Sequence, residues 1–138
     1  MSAGVARFFE ELRGPFVYDL ILNLQRKPQM TFDDILLQAK DLGIFERRSL
    51  SAEYCELVFF SKDLEAWYGI LSSALGEPRK PPGHEPTASD LDLTNKTGGI
   101  RVNQTLFEKD FDGETIIAKF WPWDDGEHVT LKMAVLFN

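Results

Sequence analysis

The chain has little cysteine and no long apolar run. Of its 138 residues only Cys55 is a cysteine, so no disulfide can form within the chain and nothing indicates an oxidising compartment. The first fifteen residues lack the uninterrupted apolar segment of a secretion signal. The apolar runs are also far shorter than the roughly 20 residues that cross a bilayer. We therefore expect a cytoplasmic protein that makes no membrane contact.

Motifs that would reveal a catalytic or cofactor-binding site are also missing. The chain contains no glycine-rich phosphate loop, no dinucleotide-binding fingerprint, no H-E-x-x-H and no C-x-x-C. Cys55 lies in an apolar stretch, where a lone thiol is usually buried and inert. We therefore predict no catalytic residue and no cofactor.

Negative charge is abundant, and it is concentrated in one region. The formal net charge is -7. Residues 107–128 hold seven acidic residues and two lysines, which leaves five negative charges in excess. Acidic surfaces repel phosphate backbones, so we predict no nucleic-acid partner. A helix-turn-helix over residues 15–43 is the alternative, but its second helix would present acidic groups such as Asp33 and Asp34.

Composition and length favour a folded domain. The aromatic content is 12% and the apolar fraction is 43%, which is unlike a disordered chain. The length predicts one domain over residues 1–138. Residues 77–99 are rich in proline and glycine and predict a long loop within that domain.

Apolar residues recur at helical spacing in the first part of the chain. The spacing predicts helices over residues 5–12 and 15–24, although the second segment also fits a buried strand. A third helix is predicted to begin after Thr31, which is a favourable N-cap residue. Asp33 and Asp34 in its first turn suit the helix dipole.

Strand patterns dominate the second half. Residues 54–60 predict a strand, and the amphipathic helix that follows is expected to end at Gly76. Three alternating segments after residue 100 predict three strands, with a hairpin turn at Asp112-Gly113. The predicted class is α+β, with N-terminal helices packed on a mainly antiparallel sheet of about four strands, in the order α-α-α-β-α-β-β-β.

Two tryptophans on either side of Pro122 are the most unusual surface feature. Proline cannot donate to a sheet ladder, so Trp121 and Trp123 should lie at a strand end or edge. Alternation directs both indoles to the same side of the sheet. Such rings make large amphipathic contacts. They predict a surface for an unknown protein or small-molecule partner, unless both rings cap the core.

Histidines supply the other candidate site residues. We place His84, in the predicted loop, and His128, at the start of the last strand, in the binding surface with the tryptophans. Asp124, Glu127 and His128 form an alternative metal site, because imidazole and carboxylates bind divalent ions. The leading hypothesis is a non-catalytic protein-interaction or ligand-binding module, with a possible homodimer. The alternative is a small metal-dependent enzyme that uses His and carboxylate groups in a pocket of the curved sheet.

Overall fold

The computed structural model describes residues 30–137, and these residues form an α+β fold. The elements in chain order are α1 (Phe32–Gln38), β1 (Ile44–Leu50), β2 (Tyr54–Phe60), α2 (Leu64–Leu75), α3 (Ala88–Thr94), β3 (Thr105–Phe111), β4 (Glu114–Pro122) and β5 (His128–Phe137). Single 3₁₀ turns precede α2 and follow α3. The helices predicted over residues 5–12 and 15–24 lie outside the described residues. No helix within the described range is long and apolar enough to cross a membrane.

The five strands form one antiparallel sheet in the order β1-β2-β5-β4-β3. The last strand therefore lies at the centre, between β2 and β4. Asp112-Gly113 makes the turn between β3 and β4, as the sequence predicts, and Gly113 adopts the positive φ of 85° that such a turn favours. The α+β class and the antiparallel sheet are confirmed.

The described residues form five strands where the sequence predicts about four, and the additional strand is β1. This strand, IFERRSL, carries three consecutive charged residues and is exposed along almost its whole length. Among residues 30–137 it is an outer strand with one neighbour, so it needs no continuous apolar face and shows no alternation.

One face of the sheet packs against α1 and α2. The main contributors to this core are Phe59, Phe120, Leu131 and Met133 from the sheet, with Phe32, Ile35, Trp67 and Leu71 from the helices. Trp67 is fully buried and stacks on Phe59, with ring centroids 5.0 Å apart. Burial of each such side chain stabilises the fold by about 1.5–3 kcal/mol.

Helix α1 begins where the sequence predicts. The Thr31 hydroxyl accepts a hydrogen bond from the Asp34 backbone N–H at 3.2 Å, and the Asp34 carboxylate accepts one from the Thr31 N–H at 2.9 Å. This reciprocal pair is a capping box, which satisfies two N–H groups at the helix start. Thr31 is therefore confirmed as the N-cap, and Gly76 is confirmed at the end of α2.

The segment 77–99, predicted as a loop, contains the helix α3. Thr87 and Asp90 form a second capping box, with hydrogen bonds of 3.1 Å and 2.9 Å. The T-A-S-D signal is present in the sequence, but α3 has only seven residues. A helix this short shows too little apolar periodicity to stand out between prolines.

The opposite face of the sheet is partly polar and partly covered by the chain that follows α3. Ile100 packs there in a small apolar cluster with Leu106, Ile117 and Ala134. The Lys119 ammonium donates to the carbonyl oxygens of residues 97 and 99, at 2.6 Å and 2.8 Å. These contacts hold the connection into β3 against the sheet, and the described residues leave the remainder of this face uncovered.

Candidate functional site

A cleft of about 390 Å³ opens on the face of the sheet away from α1 and α2. Neighbouring strands supply its floor through two cross-strand pairs, Glu56 with Lys132 and Thr130 with Trp121. The wall on the β1 side is Arg48, and the wall on the β3 side is Arg101 and Asn103. Pro122 at the end of β4, with Trp123 and Asp124 in the turn that follows, completes the lining. Four strands and two connections thus meet at one site.

Trp121 is surrounded by positive charge. The Lys132 ammonium lies 4.6 Å from the centroid of the indole, the Lys119 ammonium lies 5.7 Å away, and the Arg101 guanidinium lies 5.8 Å away. These are cation–π distances, at which the ring face attracts each cation. The ring therefore lies close to three cations, and two of them, Arg101 and Lys132, line the cleft.

Gly98 lets the backbone come close to this ring. A β-carbon at Gly98 would lie 3.4 Å from Cζ3 of Trp121 and 3.6 Å from Nζ of Lys132. The residue also has a φ of 95°, in the region that favours glycine. Gly98 thus helps to set the position of both side chains.

Trp123 forms a fixed wall of the cleft. Its Nε1 donates a hydrogen bond to the Thr130 hydroxyl at 2.8 Å. Its ring lies 6.3 Å from that of Phe45 and 4.9 Å from that of His128, measured between centroids. The Arg48 guanidinium lies 5.6 Å from the Trp123 ring on the cleft side. These contacts position the indole without any ligand.

The carboxylate in the floor is already engaged. Glu56 accepts hydrogen bonds from the Tyr54 hydroxyl at 2.6 Å and from Arg48 at 3.3 Å. Burial alone would raise the pKa of Glu56, but the bonds from Tyr54 and Arg48, with the nearby Lys132 charge, hold it below its ordinary value. Glu56 is therefore ionised at neutral pH, and its charge offsets that of Arg48.

Two lysines are cross-strand neighbours at the cleft, and Lys132 is the one that lines its floor. Lys119 on β4 is directly opposite Lys132 on β5, and Lys119 is almost fully buried. Burial lowers the pKa of Lys119 to about 8, and repulsion from Lys132 acts in the same direction. Within residues 30–137 the Lys132 ammonium makes one hydrogen bond, a long one of 3.5 Å to the Thr97 carbonyl oxygen.

The cleft is more cationic than its acidic surroundings in the sequence suggest. Arg48, Arg101 and Lys132 line it, against the carboxylates of Glu56 and Asp124. Of the seven acidic residues in segment 107–128 only Asp124 lines the cleft, and the cations come from distant parts of the chain. The negative charge that is adjacent in sequence to the tryptophans therefore does not determine the charge of the cleft.

The structure brings some predicted site residues together and leaves one apart. Trp121 and Trp123 line the same cleft. The His128 ring lies beside Trp123 at an interplanar angle of 40°, and its Nδ1 lies 2.5 Å from Oδ2 of Asp125. His84 is exposed and is not among the residues that line the cleft.

The metal hypothesis draws on a different aspartate from the one predicted. Asp125, Glu127 and His128 place possible ligand atoms within 4.8 Å of one another, whereas Asp124 lies in the cleft wall. Asp125 also closes the turn, because its Oδ1 accepts the backbone N–H of Glu127 at 2.8 Å and that of His128 at 3.1 Å. The hydrogen bonds from Glu127 and His128 lower the pKa of Asp125. The Asp125 carboxylate therefore already stabilises the turn as a hydrogen-bond acceptor.

Sequence reasoning missed the cationic residues of the cleft, which are Arg48, Arg101 and Lys132. No motif connects them, since they lie in three separate segments. The one available signal was the polar face of β5, where Lys132 alternates with core residues. Comparison of the chain with known protein families, with curated proteins and with solved structures finds no match. Function is therefore argued from the chemistry of the cleft.

Proposed function

We propose that this chain is a non-catalytic binding module whose site is the cleft beside Trp121 and Trp123. The observation that carries the proposal is that both indoles line one cleft of about 390 Å³ together with several charged groups. Small-molecule sites commonly have volumes of roughly 300–1,000 Å³ and combine apolar rings with a few convergent polar groups. A small-molecule ligand is thus the partner that the cleft fits best.

The geometry supports binding because the walls are already in place. Trp123 is held by Thr130 and its ring neighbours, and Trp121 is held between Gly98 and the cations. A preorganised site loses little side-chain entropy when a ligand enters. The described residues that line the cleft include no cysteine, serine or histidine. The Thr130 hydroxyl accepts a hydrogen bond from Trp123, and the Glu56 carboxylate accepts hydrogen bonds from Tyr54 and Arg48. Because these bonds hold the walls and floor in place, we favour a binding role over covalent catalysis.

Indole NMR tests this proposal directly. The chain has three tryptophans, and Trp67 in the core serves as an internal control because it is fully buried. Titration of ¹⁵N-labelled protein with a panel of anionic, neutral and cationic fragments should give compounds that move the Trp121 and Trp123 signals saturably and leave Trp67 in place. A panel that moves none of the three signals, or all three alike, contradicts the proposal.

Replacing Trp123 separates a binding role from a folding role. Trp123→Ala removes a cleft wall but no part of the core around Trp67. We expect lost fragment binding with a folded protein. Trp67→Phe is the matched control, since it alters an indole outside the cleft and should retain binding. Equal loss of binding in both variants contradicts a site at Trp123.

A protein partner or a second copy of the chain is the other form of this proposal. The outer edge of β1 is unpaired within the described residues, and Phe45 and Leu50 are 48% and 54% exposed. Consecutive charges at 46–48 and two register irregularities weigh against strand addition. Light scattering across a concentration series tests the homodimer. A dimer mass that Leu50→Glu reduces supports it, and a constant monomer mass rules it out.

A metal-dependent enzyme is the second candidate function. It is favoured by one observation, the approach of Asp125, Glu127 and His128 to within 4.8 Å of one another. Elemental analysis and melting temperature in added zinc or manganese test it. A rise in melting temperature that His128→Gln abolishes and His84→Gln retains supports a metal site. No metal and no rise exclude it.

The cytoplasm is the proposed compartment. Cys55 is the only cysteine in the chain and it is buried as a free thiol. The fold therefore uses no internal disulfide, and a reducing compartment suits it. Cell fractionation of the tagged chain tests this placement, and recovery only in a secreted or membrane fraction contradicts it.

A further inference from the structure

We infer that the cleft binds the carboxylate or phosphate group of a small ligand, held by Arg101 and Lys132 beside Trp121. The inference rests on the proposed function and specifies the chemical class of the ligand. It follows from three features of the described residues: two like charges placed opposite each other, cationic donors left unused, and the location of the nearby carboxylates.

The like charges are on the central strands. Lys119 and Lys132 are direct cross-strand neighbours, and like charges in that arrangement destabilise a sheet. The carboxylate next along the same row is Glu56, opposite Lys132 on β2. Its oxygens already accept from Tyr54 and Arg48. An anion in the cleft would supply the negative charge that this row lacks.

Unused hydrogen-bond donors in the cleft also favour an anionic ligand. Lys132 has three N–H donors, and within residues 30–137 it makes one hydrogen bond, of 3.5 Å. The Arg101 side chain is exposed and makes no hydrogen bond or ion pair with the described residues, although it lies against Trp121. A guanidinium and an ammonium together match the oxygens of a carboxylate or phosphate, and such charge-assisted bonds are the strong ones.

The net negative charge of the chain favours a small anionic ligand over a polymer. The chain has a net charge of -7, so a long polyanion would meet repulsion as it crossed the surface. Salt screens that repulsion beyond about 8 Å at physiological ionic strength. A single anionic group inside the cleft lies next to the Lys132 charge. The nearby Pro122 and Trp123 supply an apolar wall for the rest of the ligand.

The test is a titration with inorganic phosphate and with malonate at constant ionic strength, followed on the indole signals. Tetramethylammonium is the probe of opposite charge. We expect saturable movement of the Trp121 signal with at least one anion, none with the cation, and a fixed Trp67 signal. Lys132→Gln and Arg101→Gln should each raise Kd by about tenfold or more, because each removes charge-assisted bonds.

Matched controls separate a local site from bulk charge. Lys109→Gln and Arg47→Gln remove the same charges at positions outside the cleft lining, and they should change Kd by less than about twofold. Arg101 is exposed, so Arg101→Gln should fold and keep the test decisive if Lys132→Gln does not. Equal weakening by the controls, or no saturation with either anion, overturns the inference.

The remaining outcomes identify the ligand class, or they distinguish failure of the anion inference from failure of the proposed binding site. Saturation with phosphate alone indicates a phosphate ester, and saturation with malonate alone indicates a carboxylate. If neutral fragments move Trp121 and Trp123 while neither anion does, the cleft is a binding site and the inference of an anion is wrong. If neither fragments nor anions move these signals, both proposals are wrong.

Discussion

Arg79 donates from Nε to Oδ1 of Asp90 across 2.6 Å, and this bond joins the segment after α2 to the first turn of α3. The same guanidinium reaches Glu108 on β3 at 3.1 Å. Asp90 is 3% exposed. Burial would raise the pKa of Asp90, but hydrogen bonds from Thr87 and Arg79 hold it below its ordinary value. Arg79 thus fixes α3 to the sheet edge.

Replacing Arg79 with methionine should loosen the chain between α2 and β3. The buried Asp90 carboxylate would lose its cation, and the free energy of unfolding should fall by about 1–3 kcal/mol. Urea denaturation measures the loss, and limited proteolysis within residues 81–99 measures the opening. Arg47→Met, at an exposed position on β1, should change stability by less than about 0.5 kcal/mol. Equal effects would contradict a role for the Arg79–Asp90 bond.

Lys119 should make the fold more stable as pH rises from about 8 to about 10. Burial lowers its pKa to about 8 in the folded chain, against an ordinary value of 10.5. Between these values the unfolded chain binds more protons, so the free energy of unfolding increases with pH. Below pH 8 both states are protonated, and the cost of burying the charge is constant.

Comparison with Lys119→Met isolates this effect, because other groups titrate in both proteins. Relative to the variant, the parent protein should gain about 1–3 kcal/mol between pH 7 and pH 10. Urea denaturation at a series of pH values measures the difference. A difference that does not change with pH would show that Lys119 titrates normally.

Two glycine replacements should change stability in opposite directions. Gly98→Ala puts a methyl group 3.4 Å from Trp121 at a φ of 95°, and we expect a loss of about 1–3 kcal/mol. Gly69→Ala lies within α2 with no atom within 4 Å of the new β-carbon, and should gain about 0.5–1 kcal/mol. Thermal denaturation measures both. A stabilised Gly98→Ala protein would contradict the close approach at the cleft.

Cys55 should be unreactive in the folded protein. It is 2% exposed, and burial raises the pKa of its thiol to about 11, so little reactive thiolate is present near neutral pH. A disulfide reagent such as Ellman's should react fully in urea and far more slowly without it. Rapid reaction of the native protein would show that the β2 region opens readily.

Local signals explain which elements were predictable. The start of α1 at Thr31, the end of α2 at Gly76 and the turn at Asp112-Gly113 each depend on residues close in sequence. β1 and α3 were missed for related reasons. An outer charged strand shows no alternation, and a seven-residue helix shows too few turns of apolar periodicity.

Some residues of the site could be predicted from the sequence and others could not. The Trp121-Pro122-Trp123 triplet was visible in the sequence because unusual residues stand together. His84 was proposed from residue type alone, and the structure leaves it outside the cleft lining. No sequence pattern indicates that Arg48 or Arg101 lines the cleft. Their place in the site depends on which strands and turns lie next to them in the folded chain.

By itself the sequence determined the α+β class, the antiparallel hairpins and the shared side of the two indoles, because these depend on spacing along the chain. Only the tertiary structure decided the charge of the cleft. Pairing of β5 with β2 and β4 puts Lys132 between Glu56 and Lys119. A register shifted by one residue would turn Lys132 to the opposite face. Long-range strand pairing, which local composition does not encode, therefore gives an acidic chain a cationic site.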